Sequence, residues 1–221
     1  MARIIVIGGI ESTYRNAQTL YEAGEEIVMF YTRGPASPGW EGVDMVDEGK
    51  FTFAGEVPKT IVHGNINGHV AEMRELRPDI IYSLGWQQIF RRELLSLCKI
   101  VGLHESLLPQ GAGPVPIANA ILHEVHRTGC TLFWIDGGMD TGPIIGQLAG
   151  LLDPRRANST QLYQEAMQLS SELLRMYVPH INSGKAPSIS QDFSKRVAYQ
   201  KIKWDDWPDA AVSRARIYPY G

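Results

Sequence analysis

Apolar blocks alternate with amphipathic stretches from the first residues onward. Residues 3–7, RIIVI, are β-branched and continuous, the pattern of a strand buried on both faces. Gly8-Gly9 then makes a tight turn. Residues 12–23 read as a helix capped by Ser12 and stopped at Gly24, and residues 26–31 as a second strand. This strand–glycine–helix–strand order opens a doubly wound sheet. The Gly- and Pro-rich stretch 33–42 reads as a loop, and the residues up to Glu56 carry little pattern. Short strands follow at 60–63, 79–84, 100–103, 131–135 and 144–151. Helical spacing covers 70–76, 90–97, 117–126 and 159–181, the last capped by Ser159 or Thr160 and ended at Gly184. The prediction is an α/β protein: a Rossmann-like, mainly parallel sheet with helices on both faces. Residues 1–184 form its domain. Residues 185–221 form a C-terminal extension that packs on the domain or at a dimer interface, with Trp204, Trp207 and Tyr218 suited to either contact.

Composition narrows the function classes. A chain of 221 residues suits one ordinary α/β domain, and 44% hydrophobic with 20% charged residues argues against disorder. The net charge of −3 supplies no basic excess for a long nucleic-acid surface. No apolar run reaches the roughly 18 residues of a membrane span, and the N-terminus has no signal-type cleavage pattern, so the expected location is cytoplasmic. Cys98 and Cys130 lack metal-type spacing and read as small buried hydrophobes. His123 and His126 lie three apart on a helix without a third ligand nearby, so solvated helix residues are expected and no metal. Gly8-Gly9 lacks the third glycine of a dinucleotide fingerprint, and no acidic residue ends the second strand, which argues against a nicotinamide cofactor.

The densest chemical signal runs from Gly102 to Gly146. His104 stands just after a buried strand, at the carboxyl end where open α/β sheets bind ligands. A Pro/Gly loop, 109–116, follows it. After a helix and a strand comes a second loop, which holds Asp136 and Asp140 among glycines. Adjacent parallel strands would bring both loops to one sheet edge. A histidine and an aspartate meeting there suit proton transfer during attack on a carbonyl. Alone, a histidine beside an apolar strand is more often structural than catalytic.

Two motifs in order bear on that choice. His104-x-Ser106-Leu107-Leu108-Pro109 is followed by Gly111 and Gly113, then by Asp136-Gly137-Gly138-Met139-Asp140-Thr141-Gly142. Together they resemble the folate-dependent formyltransferases, and the segment with Ile202-Lys203-Trp204 and Tyr218-Pro219-Tyr220-Gly221 resembles the one that closes their catalytic domain. The resemblance implies the formyltransferase fold and transfer of a formyl group from 10-formyltetrahydrofolate to an amine. It implies His104 and Asp140 as catalytic residues. The loop Trp86, Gln87, Gln88, Ile89 and Phe90, with Asp136, Gly137, Gly138 and Met139, would bind the folate. Ser106, Pro109, Gly111 and Gly113 would line the acceptor side. One position departs: the family pattern is Asn-x-His, and this chain has Gly102-Leu103-His104. A missing oxyanion donor costs roughly 10²–10³ in rate. Either protonated His104 carries the oxyanion alone, or Gln87, Gln88 or Asn119 reaches in, or the chemistry is lost.

The resemblance also orders the acceptors. The tRNA-acting members carry a further C-terminal domain where this chain stops, so no nucleic-acid partner is expected. Glu11 would oppose the phosphate held by the purine-pathway enzymes. Gly85-Trp86 resembles the sugar N-formyltransferases, which leaves a nucleoside-diphosphate amino sugar, as in lipopolysaccharide O-antigen synthesis. Arg15, Arg33 and Lys195 are candidates for its diphosphate. A 10-formyltetrahydrofolate hydrolase and a non-catalytic folate-binding module are the alternatives, and a homodimer through the tail is one of the two roles left open for it.

Overall fold

Ile4, Ile5, Val6 and Ile7 are fully buried, so the strand they form needs cover on both faces and sits mid-sheet. The computed structural model describes residues 1–33, 46 and 48–216. Its strands are β1 (Arg3–Ile7), β2 (Glu26–Thr32), β3 (Lys59–Ile61), β4 (Ile80–Leu84), β5 (Lys99–His104), β6 (Gln110–Ala112), β7 (Gly129–Trp134), β8 (Ile144–Ala149) and β9 (Val197–Ala198). Its helices are α1 (Glu11–Glu22), α2 (Val70–Leu76), α3 (Arg92–Leu95), α4 (Pro116–Leu122), α5 (Ser159–Asn182) and α6 (Asp209–Ala215). Seven strands form one sheet in the order β3-β2-β1-β4-β5-β7-β8. The pairs from β3 to β5 are parallel. On one face α1 and α5 cover a core of Ile4, Val6, Leu20, Val101, Leu132 and Leu173. On the other, α2 and α3 cover Ile5, Ile7, Met73, Ile81 and Leu94. This is the expected α/β architecture.

Several boundaries move for local reasons. Helix α1 starts at Glu11 because the Thr13 hydroxyl takes the Ile10 N–H at 3.3 Å, while the Ser12 N–H goes to the Tyr163 hydroxyl at 3.0 Å. Asn158, not Ser159 or Thr160, caps α5, exchanging bonds with Gln161 in a capping box. The helix expected over 90–97 shrinks to α3, because Asn67 binds the Ile89 carbonyl at 3.0 Å and the Arg91 N–H at 2.7 Å. Helix α4 stops early, where Glu124 turns to φ +49°. The loop 109–116 contains β6, which pairs with β9 in a second small sheet. The stretch beyond Lys185 is also structured, with β9 and α6. Trp204 and Trp207 pack on α4 within the chain, and Tyr218 lies outside the described residues.

One topological expectation is overturned. Strands β5 and β7 are adjacent but antiparallel, with His104 opposite Thr131 and Val101 opposite Trp134. The excursion through β6 and α4 returns the chain to the carboxyl end of β5, so β7 starts beside His104 and runs back. The loops after β5 and β7 therefore meet over a sheet face, where Leu108, Ala112, Phe133 and Ile144 form a small core. They do not share a sheet edge.

Candidate active site

His104 is the last residue of β5 and is 7% exposed, so its ring has little freedom. Its Nε2 lies 2.8 Å from the Gly111 carbonyl oxygen. A carbonyl only accepts, so Nε2 carries the proton. The Asp140 carboxylate lies on the other side of the same turn. Its Oδ2 accepts from the Gly113 N–H at 2.7 Å and stands 3.9 Å from His104 Nε2. Residues 111–113 thus hold both side chains, one through a carbonyl and one through an amide. Gly113 has no substitute: at φ +101°, a Cβ would meet the Tyr199 carbonyl oxygen at 2.6 Å.

The loop carrying His104 is braced from beneath. The Thr131 hydroxyl donates to the Ser106 carbonyl at 2.6 Å and accepts from the Leu108 N–H at 3.1 Å and Gln147 Nε2 at 2.9 Å. Ser106 turns inward and donates to the Gln110 carbonyl at 2.8 Å, and the Pro109 carbonyl accepts from the Val197 N–H at 3.2 Å. Glu105 follows His104 directly. It is half-buried. Desolvation pushes its pKa up, partly offset by His104 and reinforced by Asp140.

The space beside Gly102 is occupied. A Cβ there would stand 2.8 Å from ring atoms of Phe133, its cross-strand neighbour, and 2.8 Å from Ile135. No side chain of asparagine size fits without moving them. Two of the three proposed replacement donors are committed elsewhere. Gln88 bridges the Ile66 N–H and the Gly64 carbonyl, at 2.8 and 3.0 Å, and Asn119 donates to Pro114 and Val115 carbonyls. Gln87 is exposed.

The loop after β4 begins at Gly85. Trp86 is half-buried under the Arg33 guanidinium, 4.5 Å from the ring centroid, and its indole N–H is buried without a hydrogen-bond partner among the described residues. Ile89 is 62% exposed, whereas Phe90 lies in the α2/α3 core. In the second loop Asp136 shapes the turn, accepting from the Gly138 N–H at 2.9 Å and the Thr141 hydroxyl at 2.6 Å. Gly137 and Met139 face solvent. Of the suggested diphosphate ligands, Arg15 pairs with Glu11 and Lys195 with Asp192. Cys130 is fully buried and Cys98 half-buried; burial pushes the Cys98 thiol up to about 11 and raises that of Cys130 as well, so neither is a ready nucleophile. His123 stacks on Tyr199, 5.0 Å between centroids, and no metal-binding group of three is present among the described residues. No helix among them is long and apolar enough to cross a membrane.

Sequence reasoning missed two contacts on the Asp140 loop. Gln191 Nε2 donates to the Asp140 and Gly142 carbonyls at 3.0 and 2.7 Å. The Arg196 guanidinium donates to the Asp140 and Met139 carbonyls at 3.3 and 2.7 Å. Both residues sit in a stretch without periodicity, and bonds to backbone carbonyls leave no mark in a sequence.

A doubly wound sheet with a histidine–carboxylate pair held over its carboxyl half brings together groups suited to acid–base chemistry at a carbonyl. The chain belongs to the formyl transferase family, whose model matches residues 3–178. A methionyl-tRNA formyltransferase of Roseiflexus sp. (strain RS-1) is 33% identical over 154 residues, 67% of this chain and 47% of the relative. One from Halorhodospira halophila is 30% identical over 216 residues, covering 94% of this chain and 68% of the relative. The chain spans about half the length of most of the curated relatives it matches. Among solved structures, an N-formyltransferase from Helicobacter canadensis, in complex with folinic acid and dTDP-3-aminofucose, aligns with TM-score 0.73 and 19% identity over 99% of this chain and 81% of that one. A phosphoribosylglycinamide formyltransferase from Bacillus halodurans aligns with TM-score 0.66 and 23% identity over 82% and 96%. These structural likenesses establish the fold.

Proposed function

We propose that this chain transfers a formyl group from 10-formyltetrahydrofolate to the amine of a small substrate, a nucleoside-diphosphate amino sugar. The observation that carries the reading is the His104–Asp140 pair, 3.9 Å apart and fixed by one turn, in a chain of this family. The folate would supply an activated formyl carbon. The loop after β4 suits such a ring, with exposed Ile89 and Gln87 beside the unpartnered Trp86 indole N–H. The second wall is the 136–139 turn.

In this reading the residues divide the proton chemistry. His104 is anchored through Nε2, which leaves Nδ1 as the ring position without a partner among the described residues. Nδ1 donates only when the ring carries both protons. Asp140 is placed to offset that added charge and to accept the proton that the attacking amine must lose. With the niche at position 102 filled by Phe133 and Ile135, the donor at the formyl oxygen comes from His104 and not from a residue at position 102.

The sugar acceptor rests on three supports. The chain carries a net charge of −3, a poor footprint for tRNA. Its Gly85-Trp86 loop resembles that of the sugar enzymes. Structures of that kind align over nearly its whole length, including a 4-N formyltransferase from Francisella tularensis with TM-score 0.73 over 99% of this chain. The competing acceptor is methionyl-tRNA, from the names of the sequence relatives.

The test is tetrahydrofolate release from 10-formyltetrahydrofolate with nucleotide-linked 3-amino and 4-amino sugars, methionyl-tRNA and a no-acceptor control. Sugar-dependent release that vanishes in His104→Ala and Asp140→Ala supports the proposal. Release only with methionyl-tRNA replaces the acceptor. Release without any acceptor identifies a hydrolase. No release with retained folinic acid binding leaves a binding module.

A further inference from the structure

Asp140 sits in a backbone conformation it does not favour. Its φ is +52°, in the left-handed region where a non-glycine residue is held only by its surroundings. The loop around it contains three glycines, Gly137, Gly138 and Gly142, and faces solvent along one side. Within the loop, Asp136 holds the Gly138 N–H and the Thr141 hydroxyl but makes no bond to Asp140 itself.

The fixing comes from residues 189–199. Ile189 exchanges both backbone bonds with Ile144, at 2.8 and 2.9 Å, and so anchors the stretch beside the exit of the loop. Gln191, 8% exposed, and half-buried Arg196 then take the carbonyls of residues 139, 140 and 142 from two directions. A few residues on, the Tyr199 N–H donates to the Ala112 carbonyl at 2.7 Å, and β9 pairs with β6. That is the turn whose Gly111 and Gly113 hold His104 and Asp140. One stretch of chain therefore grips both loops, one through side chains and the other through backbone.

We propose that residues 189–199 form a positioning strap, in which Gln191 and Arg196 hold the Asp140 backbone so that its carboxylate stays opposite His104. Neither residue touches a reacting atom. Arg196 suits the task because a planar guanidinium spans two successive carbonyls, which a lysine ammonium on a flexible stem does not reproduce. The kinetic part of the proposal rests on the transferase reading above; the geometric part does not.

The experiment uses the full chain and the variants Gln191→Ala, Arg196→Ala and Arg196→Lys. For the alanine variants kcat falls roughly 10- to 100-fold, the scale of a misplacement near 1 Å. The acceptor KM and the folinic acid Kd stay within about twofold of wild type, since the strap positions without binding. Arg196→Lys recovers part of kcat. Independently of turnover, hydrogen–deuterium exchange of amides 136–142 speeds up in the alanine variants while that of β4 and β5 does not change. Unchanged kcat, or a raised KM at unchanged kcat, overturns the positioning role. Unchanged exchange in the loop overturns the strap itself. If the wild-type chain turns over no acceptor, the transferase reading fails, and the exchange measurement alone decides the strap.

Discussion

The two halves of the sheet are held together by different means. From β3 to β4 the strands are parallel and joined by crossovers, and stability comes from burial: Ile4, Ile5, Ile81 and Tyr82 are fully enclosed between helix layers. From β5 to β8 the strands turn antiparallel, and the covering layer on the site face is made of loops. There, side chains bond to backbone: Thr131, Gln147, Gln191 and Arg196 each reach a carbonyl or an amide of a loop. Apolar cover tolerates shifts in any direction, whereas a directed hydrogen bond fixes one position. The half that carries the His104–Asp140 pair uses the second means.

The largest effect that would sharpen this contrast is expected from Ile81→Ala, fully buried on β4. It should cost about 2–5 kcal/mol and lower Tm, while the kcat of the remaining folded protein is unchanged. A loss of kcat per folded molecule would mean that the halves are not separable. Gly102→Asn should cost about 1–3 kcal/mol by overpacking against Phe133 and Ile135. Adding Phe133→Ala should relieve part of that cost, so that urea melts of the four proteins show a favourable coupling of about 0.5–3 kcal/mol. Strict additivity would show that the two do not share one niche.

Thr131→Val keeps the shape and removes three hydrogen bonds beneath the His104 loop. It should cost about 1–3 kcal/mol and lower kcat as well, the reverse of the Ile81 result. The smallest effect is expected from Glu105→Gln. The carboxyl has a folded pKa above its unfolded value, so the wild type gains from its protonation below the unfolded pKa and loses that gain as pH rises through the folded one. The amide variant should therefore melt above the wild type at pH 8, with the gap closing as pH falls toward 4. A gap that widens toward acid pH would reverse the assignment.

The same division decided what the chain made legible. Continuous runs such as RIIVI announce buried parallel strands because burial on both faces constrains every position, and β1, β2 and β4 lie where the pattern puts them. His104 and Asp140 stand out because their neighbours are unusual as well: a proline and glycine loop after one, three glycines around the other. The reversal of β7 left no trace, because strand direction depends on where α4 returns the chain and not on residues 129–134. Gln191 and Arg196 were silent for another reason. Any polar residue of suitable length in an irregular stretch looks like a solvated one until its partner carbonyl is known. The opposite failure occurred at Gly102, where the absent side chain was visible and its cause was not: Phe133, thirty-one residues away, fills the place.

The strap also has a consequence in the order of synthesis. Every strand of the main sheet has been made by Ala149 and the long helix by Asn182, before the first residue of the strap leaves the ribosome. A nascent or clipped chain ending near Lys185 would hold all the elements of the main sheet and its two helix layers, yet His104 and Asp140 would face each other across an untied gap. Folding and competence thus become separate events in time. Quality control that inspects only exposed apolar surface would let such a product through as finished.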